Sequence, residues 1–262
     1  MPRKIVLHAG FHKTGTSTVQ AVLRANRKAL MPAVAIRLKG QMQELIHATR
    51  GYSTYGTDEA LDKVSRRLDA LLTDLPGMPR RTLLLSAEEL SGHMPGRGAL
   101  ADYRAAPVLL YLMWERARTA FPNTPVVICF GTRNPQDWQQ SAWAEHVKSS
   151  GMSLDFEAFC AQYPAAPDLD RIVQNVTSRV PAPVHSFALE DCALLPLGPA
   201  DPVLDLCDVP DAIRASLVPA AAQNKRVNDA MLAAMLDINR THTDTQARNA
   251  AKAALLGKGK PQ

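Results

Sequence analysis

The chain has 262 residues, enough for one large α/β domain with a sizeable core or for two small ones. At 46% hydrophobic and 21% charged residues it has the composition of an ordinary globular protein, and no apolar run approaches the roughly 20 residues of a membrane span. A net charge of +5 suits an anionic ligand, but the basic residues are scattered, without the dense runs or interleaved aromatics of a nucleic-acid surface.

Four cysteines (Cys129, Cys160, Cys192, Cys207) lack paired metal-ligand spacing and read as free, buried thiols in a reducing compartment. The N-terminus runs from a basic pair straight into an apolar stretch, with no signal-peptide core. The expectation is a cytoplasmic protein.

In chain order, Lys4 to Leu7 reads as a short buried strand that ends at Gly10. Val19, Val22, Leu23 and Leu30 keep helical spacing, so a strand, a glycine loop and a helix from Thr16 to about Leu30 follow one another. Residues 31–56 fit the strand–helix rhythm poorly and read as a partly irregular cap near the ligand. Residues 57–75 predict an amphipathic helix, capped by Thr57 and striped by Leu61, Val64, Leu68, Leu71, Leu72 and Leu75.

"TLLLS", Thr82 to Ser86, predicts a buried strand followed at once by two carboxylates, Glu88 and Glu89. Residues 106–121 form a further helix and residues 124–133 a second buried strand. Asn134 and Pro135 then open a helix, a capping residue followed by proline at the first helical position. "APVHSFALED" (182–191) predicts the last strand and "NDAMLAAMLDIN" (228–239) a helix, with Met231, Leu232, Met235, Leu236 and Ile238 on one side. Alternation of strands and helices predicts one α/β domain over 1–262: three layers, α/β/α, with a central, mostly parallel sheet. Residues 257–262 are expected to form a flexible tail.

The stretch "HAGFHKTGTSTVQ" (8–20) lies at a strand end, where an open parallel sheet binds its ligands. Loop amides and a helix start suit phosphate or sulfate, and Gly10 and Gly15 permit close backbone approach. Thr14, Thr16, Ser17 and Thr18 add hydroxyls, and Lys13 adds a point charge. The lysine stands two places before Gly15 rather than after it, which departs from the Walker pattern. A second basic position closes the next strand: in "TRNPQDWQQSAW", Arg133 can fork a phosphate while Ser141, almost two helical turns on, completes the grip. Together the two grips imply a ligand with two separated anionic groups.

These residues resemble a known family. "HAGFHKTGTSTVQ" and "RNPQDWQQSAW" look like the 5′-phosphosulfate loop and the 3′-phosphate motif of sulfotransferases that use 3′-phosphoadenosine 5′-phosphosulfate. "LLLSAEEL" is similar to the Ser-Ser-Glu-type segment of bacterial members, with Ala87 for the second serine, and "NKRVNDAML" resembles the start of their C-terminal helix. The resemblance implies a P-loop-NTPase-like fold and sulfuryl transfer to a hydroxyl or amine. By motif position His12, Lys13, Thr14, Gly15, Thr16 and Ser17 would hold the phosphosulfate, and Arg133 and Ser141 the 3′-phosphate. Lys13 would stabilise the leaving group and Glu88 would be the base, with Glu89, His8, His12 and His93 as rivals.

No metal ion is expected, because the leaving group carries less charge than a nucleoside triphosphate. The acceptor, whether glycan, glycolipid or small metabolite, is not specified, nor is the oligomeric state. Trp138, Trp143 and Met235 could stack on the nucleotide, but core packing is the default for each. Two other readings stand beside the transferase: a P-loop kinase or hydrolase with a displaced lysine, and a non-catalytic nucleotide-binding module.

Overall fold

The structure is a computed structural model, described over residues 1–220 and 227–257. Five parallel strands form one sheet: β1 (Lys4–His8), β2 (Val34–Leu38), β3 (Thr82–Ser86), β4 (Val126–Thr132) and β5 (Val184–Ala188). They lie in the order β2-β3-β1-β4-β5, so β1 is central, between β3 and β4. The expected three-layer α/β/α architecture is present, and every strand pairing is parallel.

Strand side chains alternate between two cores. Ile5, Leu7, Leu83, Leu85, Ile128 and Phe130 face the layer built from α3 (Gln43–Tyr55), α4 (Asp58–Thr73), α5 (Ala106–Ala120), α6 (Pro135–Ser149), α7 (Phe156–Gln162) and α8 (Leu169–Arg179). Val6, Leu84, Cys129, Val34 and Ile36 face α1 (Thr16–Ala25), α2 (Arg27–Leu30) and α9 (Ala200–Leu206). Both faces of the central strands are therefore apolar, which is why they read as continuous runs. Each buried Leu or Ile contributes on the order of 1.5–3 kcal/mol. A short α10 (Asp211–Arg214) follows. Then α11 (Asp229–Thr241) and α12 (Thr245–Leu255) close over α6, with Met235 fully buried against Val147.

Local signals act as expected at several ends. Thr57 caps α4 by accepting from the Ala60 amide, and Asn134 caps α6 by accepting from those of Gln136 and Asp137. The helix expected over 16–30 is instead two. It breaks at Asn26, whose amide group donates to the Val22 and Val218 carbonyls and so ties the break to a distant loop. Residues 31–56 hold more regular structure than a partly irregular cap: edge strand β2, a 3₁₀ turn at Lys39–Gln41, and α3. Of the expected tail, only Gly257 falls within the described residues, and Asn224, Lys225 and Arg226 of "NKRVNDAML" lie outside them.

All four cysteines are free thiols, but only Cys129, Cys192 and Cys207 are buried; Cys160, on α7, is partly exposed, contrary to the expectation of burial. None of the described helices is long and apolar enough to cross a membrane.

Candidate active site

A cavity of about 610 Å³ opens beyond the carboxyl ends of the strands. Segments that follow each of the five strands contribute to its wall: Lys13 after β1, Lys39 after β2, Glu88 and Glu89 after β3, Arg133 after β4 and Leu189 after β5. Parallel sheets place their ligand sites at this end. A smaller hollow of about 260 Å³ adjoins it and shares Lys13, Arg133, Ser141, Glu145 and Lys148 with it.

The glycine loop has the backbone of an anion nest. Lys13 takes a positive φ of 69° and Gly15 one of 91°, directly before α1 begins at Thr16. A left-handed lysine costs about 1–2 kcal/mol, so its surroundings must hold it there. Three contacts do so. Trp138 Nε1 donates to the His12 carbonyl at 2.8 Å, Arg133 Nη1 donates to the Lys13 carbonyl at 3.1 Å, and the His12 amide donates to the Tyr103 hydroxyl at 3.1 Å.

Among the described residues, the amides of Lys13, Thr14, Gly15, Thr16 and Ser17 make no short, well-aligned hydrogen bond. Five such amides beside a helix start are the donors an oxyanion needs.

Two glycines permit this approach. A Cβ on Gly131 in β4 would meet the Thr14 carbonyl oxygen at 2.8 Å, and one on Gly10 would meet Thr16 Oγ1 at 2.7 Å. Gly131 was not visible as a site residue in sequence, since nothing local marks the loop that packs on it.

Of the expected residues, His12, Lys13, Gly15, Thr16, Ser17, Glu88, Arg133 and Ser141 all line the cavity. Thr14 does not: its buried hydroxyl donates to the Phe11 carbonyl at 2.7 Å, leaving only its amide for a ligand. Lys13 Nζ lies 3.3 Å from Glu145, a carboxylate that also pairs with Lys148 at 2.7 Å. Glu145 went unnoticed in sequence, although it stands one helical turn beyond Ser141 on α6.

The strand before the carboxylates ends at Ser86, and a 3₁₀ turn over Glu88–Ser91 brings both Glu88 and Glu89 onto the cavity. Lys39 Nζ bridges them, 2.5 Å from Glu88 Oε1 and 3.0 Å from Glu89 Oε1, and Arg50 holds Glu89 from the other side. Burial and the neighbouring Glu89 raise the Glu88 pKa above the ordinary carboxylate value, against the pull of Lys39. Burial alone would lower Lys39, but the two carboxylates and their hydrogen bonds outweigh it and raise its pKa. Among the described residues, Glu88 Oε2 and Glu89 Oε2 are buried without a partner.

The histidines separate clearly. His8 is buried beneath the sheet end, its Nδ1 2.8 Å from Ser86 Oγ, and burial lowers its pKa to about 4. His93 lines the cavity, and burial together with Arg50 and Arg97 takes it to about 4 as well. His12 is lowered well below 6.5 by burial, then by Lys39 and His93, and its Nδ1 lies 3.0 Å from the Tyr103 hydroxyl. Burial holds Tyr103 protonated, so it can donate to that nitrogen.

A His12 nitrogen and one oxygen each of Glu88 and Glu89 lie within 4.8 Å of one another, a spacing a metal could use. Lys39 and Arg50 together already offset the two carboxylates there, which makes the cluster a poor cation site. Trp138 and Met235 are fully buried in the core, and Trp143 packs partly buried with its Nε1 on the Leu154 carbonyl.

No protein-family model matches the chain, and no curated protein is recognisably similar to it. The site's chemistry must speak for itself.

Proposed function

We propose that the protein is a sulfotransferase that moves a sulfuryl group from 3′-phosphoadenosine 5′-phosphosulfate to an acceptor hydroxyl or amine, on a P-loop-like site. The observation that carries the reading is the pairing of the five loop amides at Lys13–Ser17 with Arg133 and Ser141 in one continuous cavity. The loop would hold the phosphosulfate and Arg133 with Ser141 the 3′-phosphate. Lys13 would exchange Glu145 for the oxygen that links sulfur to the 5′-phosphate.

In the reaction the acceptor oxygen attacks sulfur in line, and the bond from sulfur to the 5′-phosphate oxygen breaks. Charge grows on that oxygen, where Lys13 and the amides stabilise it. Glu88 takes the acceptor proton. Its raised pKa makes it a stronger base than an exposed carboxylate, and Lys39 favours its ionised form. His8 is buried behind Ser86, and His93 and His12 are weak bases, so Glu88 is the preferred candidate over them.

The test is incubation with isotopically labelled sulfuryl donor and fractionated cell extract, followed by mass analysis. A labelled sulfo group on an acceptor, formed in the presence of a chelator and lost in Lys13→Ala, is the expected result. Magnesium-dependent turnover of ATP without sulfuryl transfer would instead identify a P-loop kinase or hydrolase.

A further inference from the structure

Among the described residues, six cationic side chains line the main cavity: Lys13, Lys39, Arg50, Arg97, Arg133 and Lys148. Four are paired with cavity carboxylates, Lys13 and Lys148 with Glu145, Lys39 with Glu88 and Glu89, and Arg50 with Glu89. Among the described residues, Arg133 and Arg97 have no carboxylate within 4.0 Å. The sulfotransferase reading uses Arg133 on the nucleotide. Arg97 has no role in it.

Arg97 is held in place by a built loop. His146 Nε2 lies 2.7 Å from the Pro95 carbonyl, and the Gly96 amide donates to the Leu100 carbonyl at 2.8 Å. Gly96 has a φ of 87°, and a Cβ there would meet His146 Nε2 at 2.6 Å, so only glycine lets the loop lie this close to α6. Arg97 Nη2 donates to Ser149 Oγ at 2.6 Å. Ser149 is the last residue of α6, eight positions beyond Ser141, or about 12 Å along the axis. Arg97 therefore stands at the opposite end of the helix from the Arg133–Ser141 grip, with His93 of the same loop also lining the cavity.

A half-buried guanidinium that pairs directly with no carboxylate among the described residues, with Glu145 acting on it only from beyond salt-bridge distance, and that is fixed over a cavity, is a receptor for an oxyanion. We propose that Arg97 binds an anionic group of the acceptor, so that the substrate class is hydroxylated molecules already carrying a carboxylate, sulfate or phosphate. This rests on the sulfotransferase reading for the word acceptor, but the oxyanion site stands on its own geometry.

The experiment measures competition binding of glucose, glucuronate, glucose 6-sulfate and glucose 6-phosphate, with and without saturating adenosine 3′,5′-bisphosphate, to wild type, Arg97→Ala and Arg97→Lys. Wild type is expected to bind at least one anionic sugar tenfold or more tightly than glucose. Arg97→Ala should lose that preference and Arg97→Lys retain part of it, with nucleotide affinity within twofold of wild type. The best of the three anions identifies the group. Equal binding of glucose and all three anions overturns the proposal, as does a tenfold loss of nucleotide affinity in Arg97→Ala, which would move Arg97 to the nucleotide. If wild type fails to bind the nucleotide, the sulfotransferase reading falls. An anion preference that still depends on Arg97 would nevertheless support the oxyanion site.

Discussion

Truncating Arg133 to alanine is the perturbation whose size follows most directly from the structure. A guanidinium carries five N–H donors, and here one nitrogen, Nη1, is engaged by the Lys13 carbonyl. The rest of the group meets no carboxylate among the described residues, so a bound phosphate would gain a full positive charge rather than share one. Charge-assisted hydrogen bonds contribute about 1.5–3 kcal/mol each. Losing one such bond predicts about 1.5–3 kcal/mol, or about 10- to 150-fold in Kd, at about 1.4 kcal/mol per tenfold, and more if two are lost.

Truncation also removes the prop under Lys13, which should weaken any nucleotide. The two effects separate in a cycle: calorimetric affinities of adenosine 3′,5′-bisphosphate and adenosine 5′-monophosphate for wild type and Arg133→Ala. The large loss should appear only with the 3′-phosphate present. Equal losses for both nucleotides, or none, would refute the assignment of Arg133 to that phosphate.

Lys13→Ala should remove most sulfuryl transfer, on the order of 10²–10³ in kcat, as expected when a donor to the developing charge is lost; near-normal turnover in steady-state assays would sink its role. Glu88→Gln should keep nucleotide affinity and lose rate. Because Glu88 must be ionised to accept a proton and its pKa is raised, activity in the wild type should fall on acidification from a pH above the usual carboxylate range. Lys39→Met removes the cation that favours ionised Glu88, so that acid limb should move to higher pH; an unmoved or lowered limb in a kcat/KM–pH profile counts against Glu88.

Gly131→Ala sets a Cβ 2.8 Å from the Thr14 carbonyl oxygen, and urea unfolding should show a loss of about 1–3 kcal/mol together with weaker nucleotide binding. Unchanged stability would mean the loop is not pressed against β4. His8 and His146 have folded pKa values lowered from 6.5 to about 4 by burial, so the unfolded chain binds protons that they refuse. Their contribution is complete above about pH 6.5 and is lost as pH falls toward about 4. Urea midpoints at those two limits should differ in that direction, less so in His146→Phe.

The central strands were legible because both of their faces are buried, so β1, β3 and β4 read as unbroken apolar runs. Edge strand β2 was not: its other four residues are buried, but Arg37 interrupts a five-residue run that follows Pro32 and breaks the apolar continuity. The loop after β1 and Arg133 were legible because their chemistry is local, with glycines, hydroxyls and a lysine ahead of a helix, and an arginine at a strand end. Lys39, Arg50, Arg97 and Glu145 were not. They reach the cavity from an edge-strand turn, a helix, a loop and a later turn of α6, and only the sheet order brings them together. Thr14 shows the converse error, a hydroxyl of the right type in the right loop that folds back onto Phe11.

Two basic grips on one adenosine nucleotide are best tested by crystallising the protein with adenosine 3′,5′-bisphosphate. The 5′-phosphate should lie on the amides of Lys13 to Ser17, and the 3′-phosphate within hydrogen-bonding distance of Arg133 and Ser141. An occupied site with the phosphates exchanged, or a cavity that stays empty at saturating nucleotide, would contradict the account.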